Sequence, residues 1–118
     1  MGFSNYVIEN TLREIKASCW IGLAFNNPEV AGAYASEISG AGYSRLEAHF
    51  GLISNRTMWC DQPLRWNGLS QTRVTHVVGW NMENRGDYLW SAPLDDPARI
   101  LDGKGYNIPA DSIVLSFG

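Results

Sequence analysis

The side chains able to do chemistry in this 118-residue chain are few and scattered. Its two histidines, His49 and His76, and its two cysteines, Cys19 and Cys60, have the nitrogen and sulfur atoms that a tetrahedral zinc site takes. Their spacing is wrong for one: no C-x-x-C and no H-x-x-x-H occurs. Both cysteines lie in strand-like runs and read as small buried hydrophobes, not as a disulfide framework. A bridge between them would require those two runs to lie side by side. Carboxylates neighbour one another at Asp95-Asp96 and at Glu83 and Asp87. A glycosidase needs two carboxyl groups facing a sugar at roughly 5–9.5 Å. These acids fall in turn signals, where short side chains satisfy backbone groups equally well. Gly40-Ala41-Gly42 lacks the Lys-Ser/Thr and the following helix of a phosphate loop. The chain is therefore read as no enzyme, with no cofactor and no metal.

Tryptophan is the other residue type with a chemical use. Trp20, Trp59, Trp66, Trp80 and Trp90 are many for this length, and aromatic faces stack on sugars. They also fill β-sheet cores and subunit interfaces, where each buries a large area. Alternation groups Trp80 with Val74 and Val78, and Trp90 with Tyr88, which favours core and interface over a sugar platform.

Composition sets the frame for these residues. Apolar residues make up 45% and charged residues 18%, a globular balance for a single domain spanning 1–118. A net charge of −3 without a basic stripe argues against a nucleic-acid partner. No apolar run reaches the roughly 18 residues that span a bilayer, and no signal-peptide pattern opens the chain. Tyr6 stands where a myristoylation signal needs Ser or Thr. The sequon Asn55-Arg56-Thr57 is discounted because nothing suggests secretion.

The elements follow from periodicity. Residues 4–16 read as a helix: Ser4 is a good N-cap, Phe3 and Ile8 have staple spacing, and Ile8, Leu12 and Ile15 line one face. Glu9 and Arg13 can pair on its flank. Cys19 to Asn26 reads as a central strand with two apolar faces, Cys19, Ile21, Leu23 and Phe25 against Trp20, Gly22 and Ala24. Asn26-Asn27-Pro28 breaks it, and Glu29 to Ser36 reads as a surface loop. Gly40 and Gly42 form a forced bend feeding a half-buried strand from Tyr43 to Phe50. Arg56 to Trp66 reads as a strand interrupted at Asp61-Gln62-Pro63, and Asn67-Gly68 as a turn. Thr72 to Asn81 is a strong strand with Val74, His76, Val78 and Trp80 on one face. A hairpin turn at 84–87 leads to the strand Tyr88 to Ala92, which Pro93 to Pro97 ends. Ala98 to Leu101, Tyr106 to Pro109 and Ile113 to Phe117 complete the set. One N-terminal helix and about seven or eight short antiparallel strands spell a mainly β domain, a β-sandwich or jelly roll.

The order W-I-G-L-A-F, E-I-S-G-A-G-Y-S-R (Glu37 to Arg45), V-T-H-V-V-G-W and A-D-S-I-V-L-S-F resembles a family of small bacteriophage virion structural proteins. Its members, labelled tail-fibre or minor structural proteins, follow a helix with V-A-L-F, E-V-S-G-G-G-Y-A-R, T-H-x-G-L-x-D and A-G-D-x-L. The resemblance runs from Ser4 to Phe117; Ala41 replaces a family glycine, and Trp80-Asn81 departs after His76. It implies a virion protein, assembled in the bacterial host cytoplasm, whose partners are major capsid or tail proteins. Glu37, Gly40, Gly42, Tyr43 and Arg45 are its structural turn, and His76 has no catalytic role. A compact chain without a fibrous segment suits a capsid decoration protein, a homo-oligomer taken as a trimer. The alternative is a tail-fibre or tail-tip subunit with host carbohydrate binding. Two contact surfaces are expected: the stripe of Phe3, Ile8, Leu12 and Ile15, and the loop carrying Pro28, Glu29, Val30 and Tyr34. On that expectation, Ile8→Asp with Leu12→Asp weakens assembly more than folding.

Overall fold

The computed structural model describes residues 4–116. The expectations for Phe3 and Phe117 lie outside them. The N-terminal helix α1 (Asn5–Ala17) starts where expected, because the Ser4 hydroxyl accepts the Val7 amide at 3.2 Å. Arg13 meets Glu9 at 3.5 Å on its exposed flank. Its apolar stripe turns inward: Ile8 and Leu12 are buried in the main core and Ile15 packs against that core. Ile8 and Leu12 thus have no surface left for a partner. That part of the expected contact stripe is corrected: paired substitution of these two by Asp would disrupt folding itself.

Strand β1 (Trp20–Ala24) follows, then two single-turn helices, α2 (Pro28–Ala31) and α3 (Ala33–Ser36), where a loop was expected. Asn27 caps α2 by accepting the Glu29 amide at 3.0 Å, and Pro28 takes the first turn, where a missing N–H goes unnoticed. The remaining strands are β2 (Leu46–Glu47), β3 (Thr57–Trp59), β4 (Leu64–Leu69), β5 (Thr72–Trp80), β6 (Tyr88–Ile100), β7 (Lys104–Ile108) and β8 (Val114–Ser116). All pair antiparallel: a four-stranded sheet ordered β2-β1-β5-β6, and the two pairs β3-β8 and β4-β7. The mainly β class with an N-terminal helix holds.

β1 lies inside the sheet, as its two apolar faces demand. Cys19, Ile21 and Leu23 join α1, Phe50, Met58, Trp66 and Leu69 in the main core. On the opposite face, Ala24, Val78 and Trp80 form a second, smaller cluster covered by Ala33 and flanked by Trp20 and Tyr88. Phe25, one residue past the strand, is exposed instead of sharing the inner face. Val74 also departs from expectation. It packs in the main core, while Val78 and Trp80 lie on the other side, and the β5–β6 register shifts between Val74 and His76.

Three element boundaries differ from the sequence reading. β6 runs straight through Pro93 and Pro97, which were expected to end it. It is the outer strand of its sheet, and Val74 pairs with Ala98 while His76 pairs with Pro93, so residues 94–97 form a bulge. Edge strands and bulges are where proline's missing N–H is tolerated. Asn67-Gly68 is a bulge inside β4, not the turn that ends it, since the β4–β7 register slips between Trp66 and Leu69. The expected strand from Tyr43 to Phe50 shrinks to β2 because the chain changes partners. Ala48 still donates its amide to the Cys19 carbonyl at 2.9 Å, but Phe50 bridges to Cys60.

Candidate functional site

The bend at Glu37–Arg45 is where the most polar atoms converge. Gly42 has φ +81°, and a Cβ there would meet the Gly68 carbonyl oxygen at 2.2 Å. Only glycine suits such a position, which lays the bend against the β4 bulge. Gly40, at φ +112°, is less tightly held: a Cβ there would meet only the Ser70 side chain, at 2.6 Å. The bend aims Tyr43 and Arg45 back across β1 at Glu37. Arg45 grips that carboxylate with two parallel bonds, Nε to Oε2 and Nη2 to Oε1, both 2.8 Å. The Tyr43 hydroxyl donates to Glu37 Oε2 at 2.5 Å and accepts the Leu23 amide at 3.2 Å. Burial, then the neighbouring Glu37, holds the Tyr43 phenol far above its ordinary range.

Arg45 is only 6% exposed, and its remaining atoms are also engaged. The guanidinium lies 3.7 Å over the Trp80 ring, and Nη1 donates to the carbonyls of Met82 (3.0 Å) and Arg85 (2.5 Å). It therefore ties the bend to the link between β5 and β6. Trp80 packs under Tyr34 at 4.9 Å between centroids, and the Tyr34 hydroxyl donates to the Gly86 carbonyl. Gly22 supplies the floor: a Cβ there would stand 2.7 Å from both Glu37 Oε2 and the Tyr43 oxygen. A buried, bidentate, multiply bonded pair of this kind loses about 3–5 kcal/mol when one partner is removed. It leaves no free base or nucleophile, so what it does is hold geometry.

The other candidate residues do not converge. His49 is exposed and meets Asp61 at 2.7 Å, while His76 bonds Thr75 Oγ1 at 2.8 Å on the sheet. Among the described residues no cluster of three His, Cys, Asp or Glu side chains has metal-holding geometry. Cys19 and Cys60 are buried free thiols, and burial pushes Cys19 up to about 12. Asp87 closes the β5–β6 link, its amide donating to Asn81 Oδ1 at 2.7 Å. Of the tryptophans, Trp66 and Trp80 are buried, Trp20 and Trp90 half-buried, and Trp59 exposed. The described residues thus form no exposed row of tryptophans on which a sugar would stack.

Of the loop candidates, Pro28 is buried, whereas Glu29 is exposed and Val30 and Tyr34 are 84% and 59% exposed. Met82, on the link that Arg45 fastens, is 54% exposed. Sequence reading missed Met82, and it missed Trp80 as the ring beneath Arg45. Gly22, a Cβ-free position in an otherwise bulky strand, was the one local signal of that close approach. A cleft of about 520 Å³ opens elsewhere, lined by Trp90, Ala92 and Leu94 of β6, Tyr106 of β7 and Leu115 of β8. It exposes one flank of the main core.

The most elaborate polar site among the described residues is thus a structural clamp set on a core-backed scaffold. The chain belongs to the family described as Podophage GP4 fiber I protein gp80, whose family model matches residues 3–116. The expected likeness to phage virion structural proteins is thereby established, and the family is one of fibre proteins. No curated protein matches the chain.

Proposed function

We propose that this chain is a structural subunit of the phage fibre apparatus, which adheres to neighbouring virion proteins and transforms no substrate. The observation that carries the reading is the surface at the clamped end. Val30, Tyr34 and Met82 are large, apolar and mostly exposed, yet stand on backbone that Arg45, Trp80 and Asn27 hold fixed. Pre-organised apolar side chains of this kind are what an interface core uses, because little order remains to be imposed on binding. Glu29 beside them supplies a polar rim. Adhesion through this end is consistent with a chain that is one folded unit, assembled with its partners in the host cytoplasm.

The placement on a head shell as a decoration protein rested on compactness. A compact unit suits a fibre or its tip equally well, and the fibre family favours the tail. Gold labelling of a tagged chain on intact particles, read by electron microscopy, tests this. Label on tail fibres supports the proposal; label spread over the head shell restores decoration; unlabelled particles refute a virion role altogether.

A further inference from the structure

The outer edge of β6 is guarded along one half and bare along the other. Its far half carries the charges and proline that keep a foreign strand from pairing: Asp95 and Asp96 in the bulge, Pro97, and Arg99. Arg99 also faces Arg73 of β5 directly across the ladder, a like-charge pair that destabilises a sheet. All four charged side chains are exposed, and among the described residues none forms an ion pair. From Tyr88 to Leu94 the same edge has no charge at all. That bare half borders the cleft of about 520 Å³.

The cleft is lined by unbroken runs, residues 90–95 on one side and 112–116 on the other. Side chains alternate along a strand, so a run without gaps means that the strand's edge, backbone included, meets the cleft. Leu23 of β1 donates its amide to Tyr43 and accepts the Ile38 amide, both away from β5, so its partner Val77 faces β6 and bonds Ala92. Ser91 and Pro93, on either side of Ala92, therefore turn their backbone groups outward. Across the cleft the Ile113 carbonyl accepts the Cys60 amide, so Val114 likewise turns its backbone groups away from β3. Between these edges Trp90, Ala92, Leu94, Tyr106 and Leu115 pack on the main core yet stay half-buried. One strand would cover them.

We infer, resting on the reading of this chain as a subunit bound among other virion proteins, that the cleft takes an extended segment of a different virion protein as an added strand. The outward N–H and C=O groups hold its backbone, and the half-buried side chains receive its alternate apolar residues. Among the described lining residues Asp95 alone is charged, so the segment carries a Lys or Arg where it passes the bulge. A strand that bonds both edges must itself be free on both sides. In a second copy of this chain every strand is already paired on at least one side, which makes it the poorer occupant.

The test is photo-cross-linking on intact particles, with a photo-reactive phenylalanine derivative in place of exposed Val114 and the joined peptides read by mass spectrometry. The expected product joins the cleft to one segment of another virion protein, apolar at every second residue and basic at one end. Ser91→Pro removes an outward N–H without costing the β5 ladder a bond, and Asp95→Lys reverses the lone charge. Each is expected to cut the cross-link yield at least about tenfold, while Ser91→Ala, which keeps the N–H, leaves it unchanged. If Ser91→Pro melts early, Asp95→Lys on the exposed bulge decides alone. A yield that a folded Ser91→Pro or Asp95→Lys form leaves unmoved overturns the inference. A cross-link to this chain itself, or none in particles that contain the chain, overturns it too and leaves the adhesion reading standing. Particles without the chain overturn both.

Discussion

Two regions of this molecule concentrate charge, and they treat it in opposite ways. At the Glu37–Arg45 bend, a guanidinium and a carboxylate are buried, bonded face to face, and backed by Tyr43, Trp80 and two carbonyls. Along β6, four exposed charges have no partner among the described residues, and like faces like. Burial makes the difference. Taking an ion out of water demands full compensation on the spot, so the first region serves the fold. An exposed charge is tolerated unpaired, so the second is free to serve an outside contact.

Breaking the clamp should have the largest effect. Arg45→Ala strands Glu37 and is expected to remove about 3–5 kcal/mol, read as a fall in thermal midpoint and in the denaturant midpoint. Leu12→Ala tests the main core without touching charge and is expected to lower stability by about 2–5 kcal/mol. An intact melting curve for it would mean that α1 packs on a partner after all. Alkaline stability sharpens the picture of the same core. Cys19 is raised from 9.0 to about 12, so the fold favours its protonated thiol. That contribution is complete below pH 9 and drains away as pH rises toward 12. Titrating stability across this window should show a decline that Cys19→Ala flattens, and thiol reagents at pH 8 should leave Cys19 unmodified while the chain is folded. The smallest effect belongs to β6: Arg99→Glu sets an opposite charge across from Arg73 and should raise monomer stability by about 0.2–1 kcal/mol.

Much of this architecture was legible because local patterns carry it. The alternation of Cys19, Ile21 and Leu23 against Trp20, Gly22 and Ala24 named a doubly covered inner strand, and Ser4 marked the start of α1. The glycines of the bend announced a backbone that no other residue fits. What escaped was whatever depends on pairing far along the chain. An apolar stripe looks the same whether it meets its own sheet or a neighbour, so Ile8 and Leu12 were read as contacts. Proline reads as a stop unless the strand is known to be an edge, which is why β6 was cut at Pro93. The union of Glu37, Tyr43 and Arg45 with Trp80 rests on the register of β1 with β5, and no spacing within the E-I-S-G-A-G-Y-S-R stretch encodes that. The exposed contact candidates, Val30 and Tyr34, are visible in the sequence only as part of a polar, small-residue segment. Their fixed exposure comes from the single-turn helices that Asn27 and Gly32 bound.

On the reading proposed above, this chain adheres within the virion through its clamped end. Copies per particle, counted by quantitative mass spectrometry on purified virions carrying Val30→Asp with Met82→Asp, test it most directly. A fixed copy number is expected for the wild type and a loss of at least about tenfold for the double variant, with an unchanged melting curve. Wild-type chain missing from the particles, or a double variant incorporated at the wild-type level, would contradict it.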